Sequence, residues 1–600
     1  MAKTPKAVRI GGASGYWGDA TYATAQLLAD GALDYIVYDY LAEITMAILA
    51  RVRAKDPAQG YATDFVTGAM APNLAEIAHQ GVRIISNAGG VNPEACAKAL
   101  RVEIAKQGLN LRVVTVTGDD LMDQLSEIIE LTPFDLFSRA RFPDSSKIGS
   151  INAYLGAFPI AAALDAGADI VITGRCVDSA VTLGACIHKF GWSPDHLTQL
   201  AGGSLAGHIL ECGTQATGGN FTDWEAVADG YANMGYPIAE IAHDGTFVAT
   251  KPVGTGGAVT TGTVAEQMLY EIGDPQAYHL PDVVCDFSNV SLLQETSDRV
   301  LVSGVKGYSA PTGYKVCLTF HDGWRGGHLF SFYGLEAEKK AEVFADAVFA
   351  RSRAIFQQTN MPDFAETSLE LIGAESQFGA CRTSGPSREV AAKIAVRHVD
   401  PRGINVFLKE ATGLGLSAPP GLSGFAGARG KPSPVMALFS FLIAKDRVEI
   451  TVQDERGQIN FTPVVGTVIT PRPFRPTPPM RPRSIGPMVE VPLIKLALAR
   501  SGDKGDTANI GVIARRPEYL PWIWHALDET SLTKIFGHFL RGKIERFYLP
   551  GTASMNIMLH QALGGGGTSS LRNDPQGKGY GQLALAHKIR VPDSIARGLR

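Results

Sequence analysis

The chain reads as an α/β protein: a doubly wound, mostly parallel sheet, a following α+β region, and a small C-terminal α+β domain. Three observations predict this. Short β-branched apolar runs alternate with helix-patterned segments over residues 1–245, strand-like runs then succeed one another over 246–470, and a proline-rich stretch at 471–488 separates off 489–600. Six hundred residues also exceed what one hydrophobic core normally serves.

In order, AVRIGG (7–12) is an apolar run stopping on glycine, and TYATAQLLADG (21–31) follows with helical spacing and a terminal glycine. DYIVYDY (34–40) is a strand, LAEITMAILARVRAK (41–55) a helix and VRIISNAGG (82–90) a strand. PEACAKALRVEIAKQG (93–108) is a helix opening on proline, and LRVVTVTGDD (111–120) and ADIVITGR (168–175) are strands. These runs are continuously apolar rather than alternating, as parallel strands covered on both faces require. Strand, helix, strand in this rhythm implies a doubly wound sheet.

Beyond 245, VVCDFSNV (283–290), DRVLVSGVKGY (298–308), TGYKVCLTF (312–320) and HLFSFYG (328–334) read as successive strands, and EAEKKAEVFADAVFARSRAIFQQ (336–358) as a long amphipathic helix. In PRPFRPTPPMRPRSIGP (471–487) seven of seventeen residues are proline, which favours an extended, semi-rigid strap. Its arginines, Arg472, Arg475, Arg481 and Arg483, either pair with acids of the large domain or stay solvated. Residues 489–600 carry their own strands and a helix near 530–541.

A formal charge of −4 gives no reason to expect nucleic acid or an anionic membrane as partner, and no apolar run is long enough to span a bilayer. Seven scattered cysteines, without CxxC or Cys/His ligand spacing, fit a reducing cytoplasm better than a disulfide framework. The expected location is cytoplasmic. His321 and His328 flank GWRGG without metal-ligand spacing, so no metal site is expected.

Open α/β sheets bind ligands beyond the carboxyl ends of their strands. Here the first tip carries Ser14, Gly15 and Asp19, the second Asp39 and then Glu43, the third Asn87, Gly89 and Asn92, the fourth Asp119 and Asp120, and a later one Arg175 and Asp178. Helix capping and turn glycines explain any one such tip. Five converging tips with one arginine among several acids point to a ligand whose carboxylate or phosphate Arg175 holds bidentately. The first tip also invites a dinucleotide, with Asp39 at the ribose offset. Its glycines run Gly12, Gly15, Gly18, however, and do not form G-x-G-x-x-G, so no NAD fingerprint is present.

A second glycine-rich element, TKPVGTGGAVTTGTVAEQMLYEIGDP (250–275), places Gly254, Gly256 and Gly257 before a helix with capping-box spacing at Thr263–Glu266. It is either a structural turn or an anion cradle served by loop amides and Lys251. Cys212 is either a buried inert thiol or a nucleophile needing His208 or His243 as base. The densest polar cluster is ARSGDKGDTANIGVIA (499–514), with Ser501, Asp503, Lys504, Asp506 and Asn509 between two apolar runs. Either Asp503 and Asp506 merely pair with Lys504, or the turn faces the strand tips of the large domain, of the same chain or of a second copy, and completes a site. In the second case Lys504 neutralises an acid or ligand anion, the aspartates orient amides or act as base, and Ser501 and Asn509 contact the ligand.

With these stretches laid out, the chain resembles the acyclic terpene utilisation (AtuA) family. The resemblance rests on IGGASGYWGD, SNAGGVNPEA, NAYLGAFPIAAALDAGADIVITGRCVDSA, LECGTQATGG, KPVGTGG with TVAEQMLYEIGDP, and ARSGDKGDTANIG. It spans about 8–465 and 489–600 and implies a ferredoxin-like fold for the small domain. It further implies catabolism of acyclic terpenes, with a lyase step on a branched 3-hydroxy-3-alkylglutaryl-CoA. The chain lacks the H-x-H pair of metal-dependent barrel lyases. A retro-Claisen cleavage needs a base for the tertiary hydroxyl and donors for the enolate. Asp178 or Asp19 is the expected base, Asn87 and loop amides the donors, and Arg175 the carboxylate anchor. The alternatives are a hydratase and a non-catalytic subunit of a catabolic complex. The expected partners are a small molecule, an acyl-CoA or branched acid, and further copies of the chain; no cofactor is identified.

Overall fold

The computed structural model describes residues 7–19, 21–424, 430–466, 475–483 and 486–599; Arg472 lies outside the described residues. The body is built on an eleven-stranded sheet. From edge to edge its strands are Ser291–Thr296, Arg299–Ser303, Phe247–Thr250, Ile238–Ile241, Val8–Gly12, Tyr35–Tyr38, Arg83–Ser86, Ile170–Thr173, Val113–Thr117, Thr451–Asp454 and Gly457–Ile459. The five strands from Val8–Gly12 to Val113–Thr117 are mutually parallel, and antiparallel strands extend the sheet on both sides. The sheet therefore draws strands from both sides of residue 245.

Strand alternation sorts the central side chains into two cores. Tyr35, Val37, Ile85, Val114 and Val171 pack with helices Phe158–Asp165, Ala180–Phe190 and Leu197–Leu210. Ile36, Tyr38, Ile84, Val113 and Ile170 face helices Ala23–Asp30, Glu43–Lys55 and Pro93–Lys106 on the other side. Both faces are covered, which is why these strands are uniformly apolar.

Three segments differ from the expectation. The run 298–308 is two strands, Arg299–Ser303 and Lys306–Tyr308, broken at Gly304 (φ 87°) and belonging to different sheets. Conversely, 312–334 is one strand, Gly313–Tyr333, continuous through GWRGG with a register shift between His321 and Trp324. The helix after the 254–257 glycines starts at Thr261, and its capping box is Thr260 with Thr263 rather than Thr263 with Glu266.

The small domain has a four-stranded antiparallel sheet, ordered Ala497–Lys504, Thr507–Ala514, Ser554–Leu559, Ile544–Leu549, with helices Leu520–Ala526, Glu529–Phe536 and Tyr580–Ala586. SGDKGD is the hairpin of the first two strands, turning at Gly505 (φ 65°), where a left-handed backbone favours glycine. Alternate residues of Thr507–Ala514 serve two different cores. Ala508, Ile510 and Val512 belong to the small domain, whereas Ile513, with Leu498 and Leu549, joins the core of the large one. On that outward face Gly511 lies against Leu269, where even a Cβ would come within 2.4 Å of the leucine Cβ.

Buried amides complete the docking. Asn509 donates to Leu269 O (2.7 Å) and accepts from Glu271 N (2.8 Å), while Asn556 donates to Ile272 O (3.0 Å) and Gly273 O (2.7 Å). The strap is held too, with Arg475 on Asp274 (2.6 Å) and Gln276 (2.8 Å). Asn509→Ala orphans two buried backbone groups and is expected to destabilise the full chain by about 2–4 kcal/mol in urea unfolding. A loss under about 0.5 kcal/mol, the level of an ordinary surface substitution, would contradict this docking.

Candidate functional site

The carboxyl ends of the parallel strands meet at one edge and are bonded to each other. Ser14 Oγ donates to Asp39 O (3.0 Å). Asn87 Nδ2 donates to the Asp39 carboxylate (2.6 Å), and Asn87 Oδ1 accepts from Tyr40 N (2.8 Å). Asp119 accepts from Arg175 N (2.8 Å) and Asn152 Nδ2 (2.9 Å). Fully buried and bonded at both ends of its amide, Asn87 ties two tips together and is not a donor facing a ligand. Gly15 N donates to Asp19 (2.9 Å), whose other oxygen accepts from Tyr236 (2.8 Å). Gly15 is packed against the Cys212 backbone, 2.7 Å from where its Cβ would stand, so it serves close packing.

Arg175 is the positive centre of this edge. Its guanidinium donates to Asp178 (2.8 Å) and Cys176 O (2.9 Å) and lies over the Tyr154 ring at 4.2 Å, with its side chain only 4% exposed. Burial disfavours its charge, but Asp178, Tyr154, Glu43 and Asp39 outweigh that and hold the proton more tightly. Tyr154 donates to Glu43 (2.7 Å), whose carboxyl is held down at about 2: burial opposes this, and Lys315 and Arg175 prevail. Asp39 is raised instead, first by burial and then by Asp178. The structure thus gives Arg175 one acid partner of its own domain, Asp178, and leaves its buried Nε without a hydrogen-bond partner.

Across from it comes the hairpin of the small domain. The Lys504 side chain is partly buried and makes no ion pair or hydrogen bond among the described residues, yet burial is outweighed by the field of Tyr278, Glu271, Asp178 and Glu211, which raises its pKa. Asp503 accepts from Lys578 (3.5 Å) and is pushed up by burial and by Glu271. Glu271 pairs with Lys578 (2.7 Å); burial works against its charge, but Lys578 and Lys504 hold its carboxyl down. Glu211 bonds His208 Nδ1 (2.7 Å) and is raised by burial. Two cations and several carboxylates from both domains therefore face one another, some protonated more readily than ordinary acids.

The other expected residues serve the scaffold. Ser501 turns inward, donating to Gly577 O (2.6 Å) and accepting from Gly581 N (2.8 Å), and Asn509 is the docking amide. Asp506 accepts from Leu563 N (3.1 Å) and Gly565 N (2.8 Å). The loop of Gly254, Gly256 and Gly257 is no anion cradle. Gly256 N and Ala258 N bond Asn233 O (2.7 Å) and Thr217 O (2.8 Å), Val259 N bonds Asp298, and Lys251 is bonded to Thr255 O (2.9 Å) and Asp298 (3.3 Å). These donors are engaged within the protein. Cys212 is raised by burial and by Glu211 and Glu271, so its thiol stays protonated, and His208 is bonded to Glu211 instead. His243 packs its ring against Phe190.

Sequence reasoning missed Glu211, Glu271, Lys578, Tyr154 and Tyr278. Glu211 and Glu271 stood inside the quoted LECGTQATGG and EQMLYEIGDP stretches, whereas nothing around Lys578 marks it as a neighbour of Asp503. No helix among the described residues is long and apolar enough to cross a membrane.

Comparison with known families decides the ancestry. The family described as acyclic terpene utilisation family protein AtuA matches residues 8–453, and the AtuA ferredoxin-like domain matches 491–590. The chain belongs to the AtuA family. Membership supports a catabolic role in acyclic terpene utilisation, and it makes the small domain the ferredoxin-like unit. No curated protein and no solved structure matches the chain.

Two expectations follow from the electrostatics. Arg175→Met should cost about 3–5 kcal/mol, because Asp178, Glu43 and Asp39 lose their buried counter-charge; denaturant unfolding would detect it, and an unchanged midpoint would show that those acids are solvated. Burial raises Asp119 from 3.8 to about 7, so the folded state retains a proton that the unfolded chain releases. Its contribution therefore falls as pH rises from about 4 to about 7, by at most about 4 kcal/mol. Asp119→Asn should flatten the stability profile across that window, and an unaltered slope would assign the effect elsewhere.

Proposed function

We propose that this AtuA-family chain is an enzyme of branched-acid catabolism, acting on a 3-hydroxy-3-alkylglutaryl-type acyl-CoA as a carbon–carbon lyase or as a hydro-lyase. One observation carries the reading: Lys504, whose side chain is unpaired among the described residues, stands on a hairpin packed at Gly502 against Tyr270 and Glu271 of the large domain, in the field of Asp178, Glu211 and Glu271. A solvated turn has no use for that placement, and a purely structural interface would pair the ammonium directly.

In this reading Lys504 receives the anionic part of the substrate. Asp178, fixed by Arg175, is the base. In cleavage it takes the proton of the tertiary hydroxyl, the carbonyl forms, and the carbon–carbon bond breaks with its electron pair passing to an enolate. A raised acid, Asp503 or Glu211, then protonates the enolate carbon. In dehydration the same base removes the α-proton, and the raised acid supplies the proton with which hydroxide leaves as water. Placing positive charge where the enolate develops stabilises the transition state more than the ground state. Asn87 and the 254–257 loop have no part in this scheme, and Arg175 acts through Asp178.

The test is incubation of the full chain with a panel of branched 3-hydroxyacyl-CoA esters, reading product masses. Either two fragments or loss of one water is expected, with Lys504→Ala lowering kcat/KM about a hundredfold or more and Tm by no more than a few degrees. No product from any ester would favour a non-catalytic subunit, and equal activity of the variant would remove Lys504 from the chemistry.

A further inference from the structure

A cavity of about 570 Å³ opens between the two domains beside the charged cluster. Tyr22, Phe221, Trp224, Tyr231, Met234 and Tyr236 line it from the large domain, and Arg500 and Lys578 from the small one. Trp224 is 54% and Tyr231 47% exposed, large aromatic surfaces that a soluble chain ordinarily covers. Lys578 connects the two places: it lines the cavity while bonding Glu271 (2.7 Å) and Asp503 (3.5 Å).

The cations at this cavity are already committed. Arg500 donates to Asn220 O (2.8 Å) and Gln215 and lies over the Tyr270 ring at 4.7 Å, while Lys578 is held by its two carboxylates. A nucleotide polyphosphate needs free cations and would here meet the Asp19 carboxylate, with Glu271 and Asp503 already paired to Lys578. An uncharged apolar chain covers the exposed rings and leaves these cations and carboxylates in the pairs they already make.

We infer that this cavity is a subsite for the branched apolar tail of an acid whose carboxylate or acyl head lies at the Lys504 cluster. The inference rests on the enzyme reading above and adds where chain length is measured.

The experiment titrates the full chain with methyl-branched monocarboxylic acids of increasing length, with glutarate as a head-only probe, and with free coenzyme A, following tryptophan fluorescence and calorimetry. Affinity for the branched acids should rise about fourfold for each added methylene. Trp224→Ala, at an exposed position that the fold does not need, should weaken the longest acid tenfold or more while leaving glutarate unchanged. Affinity independent of chain length would overturn the inference, as would a variant indistinguishable from the parent chain. Displacement of the branched acids by free coenzyme A would assign the cavity to the nucleotide. Failure of the enzyme reading is seen separately, as absence of turnover with tail binding intact.

Discussion

The guanidinium of Arg175 is buried where Asp178, Asp39, Glu43 and the Tyr154 ring converge, and the surrounding edge of the sheet depends on it. Parallel strands that end side by side bring their loops together, and in this chain those loops carry an excess of acids. Without a counter-charge, carboxylates so close and so dry would neutralise or force the edge apart. One buried arginine holds Asp178 in place, and Glu43 is kept ionised with help from Lys315. The remaining strain is visible in Asp39 and Asp119, which burial keeps closer to their protonated forms.

The small domain answers the same imbalance from the other side. Its hairpin carries Lys504 toward the acids of the large domain, and Lys578 bridges Glu271 and Asp503. That approach works because the outward face of Thr507–Ala514 offers Asn509, Gly511 and Ile513 in alternation: an amide for the end of helix Thr261–Leu269, a bare backbone against Leu269, and an apolar side chain for the shared core. Docking and charge placement are thus properties of one strand pair. The ferredoxin-like domain is built into this charged cluster rather than appended to it.

Much of this was legible in the sequence. Continuous β-branched runs gave away the parallel strands because both faces are covered, and the density of Ser501–Asn509 gave away a turn with an unusual neighbour. What escaped had physical reasons. Gly326 and Gly327 look like turn residues, but they lie within the long strand, where Gly326 makes room for Ile404. Ser501 and Asn509 look like ligand groups, yet buried backbone groups claim their hydrogen bonds first. Arg175 looks like a free anchor because the sequence places acids at the neighbouring strand tips without showing which of them packing turns onto it. Lys578 is 74 residues from Lys504, and only the packing of helix Tyr580–Ala586 onto the hairpin brings it to Asp503.

The central claim is that Lys504 is the cation left open to an anionic ligand while Arg175 is paired with Asp178 of its own domain. A crystal structure of the full chain soaked with a branched 3-hydroxy dicarboxylic acid tests it most directly. The account predicts a ligand carboxylate in hydrogen-bond contact with Lys504 Nζ and the Arg175–Asp178 pair intact. A ligand bound on Arg175 with that pair broken, or Lys504 closed onto a protein carboxylate with the ligand elsewhere, would contradict it.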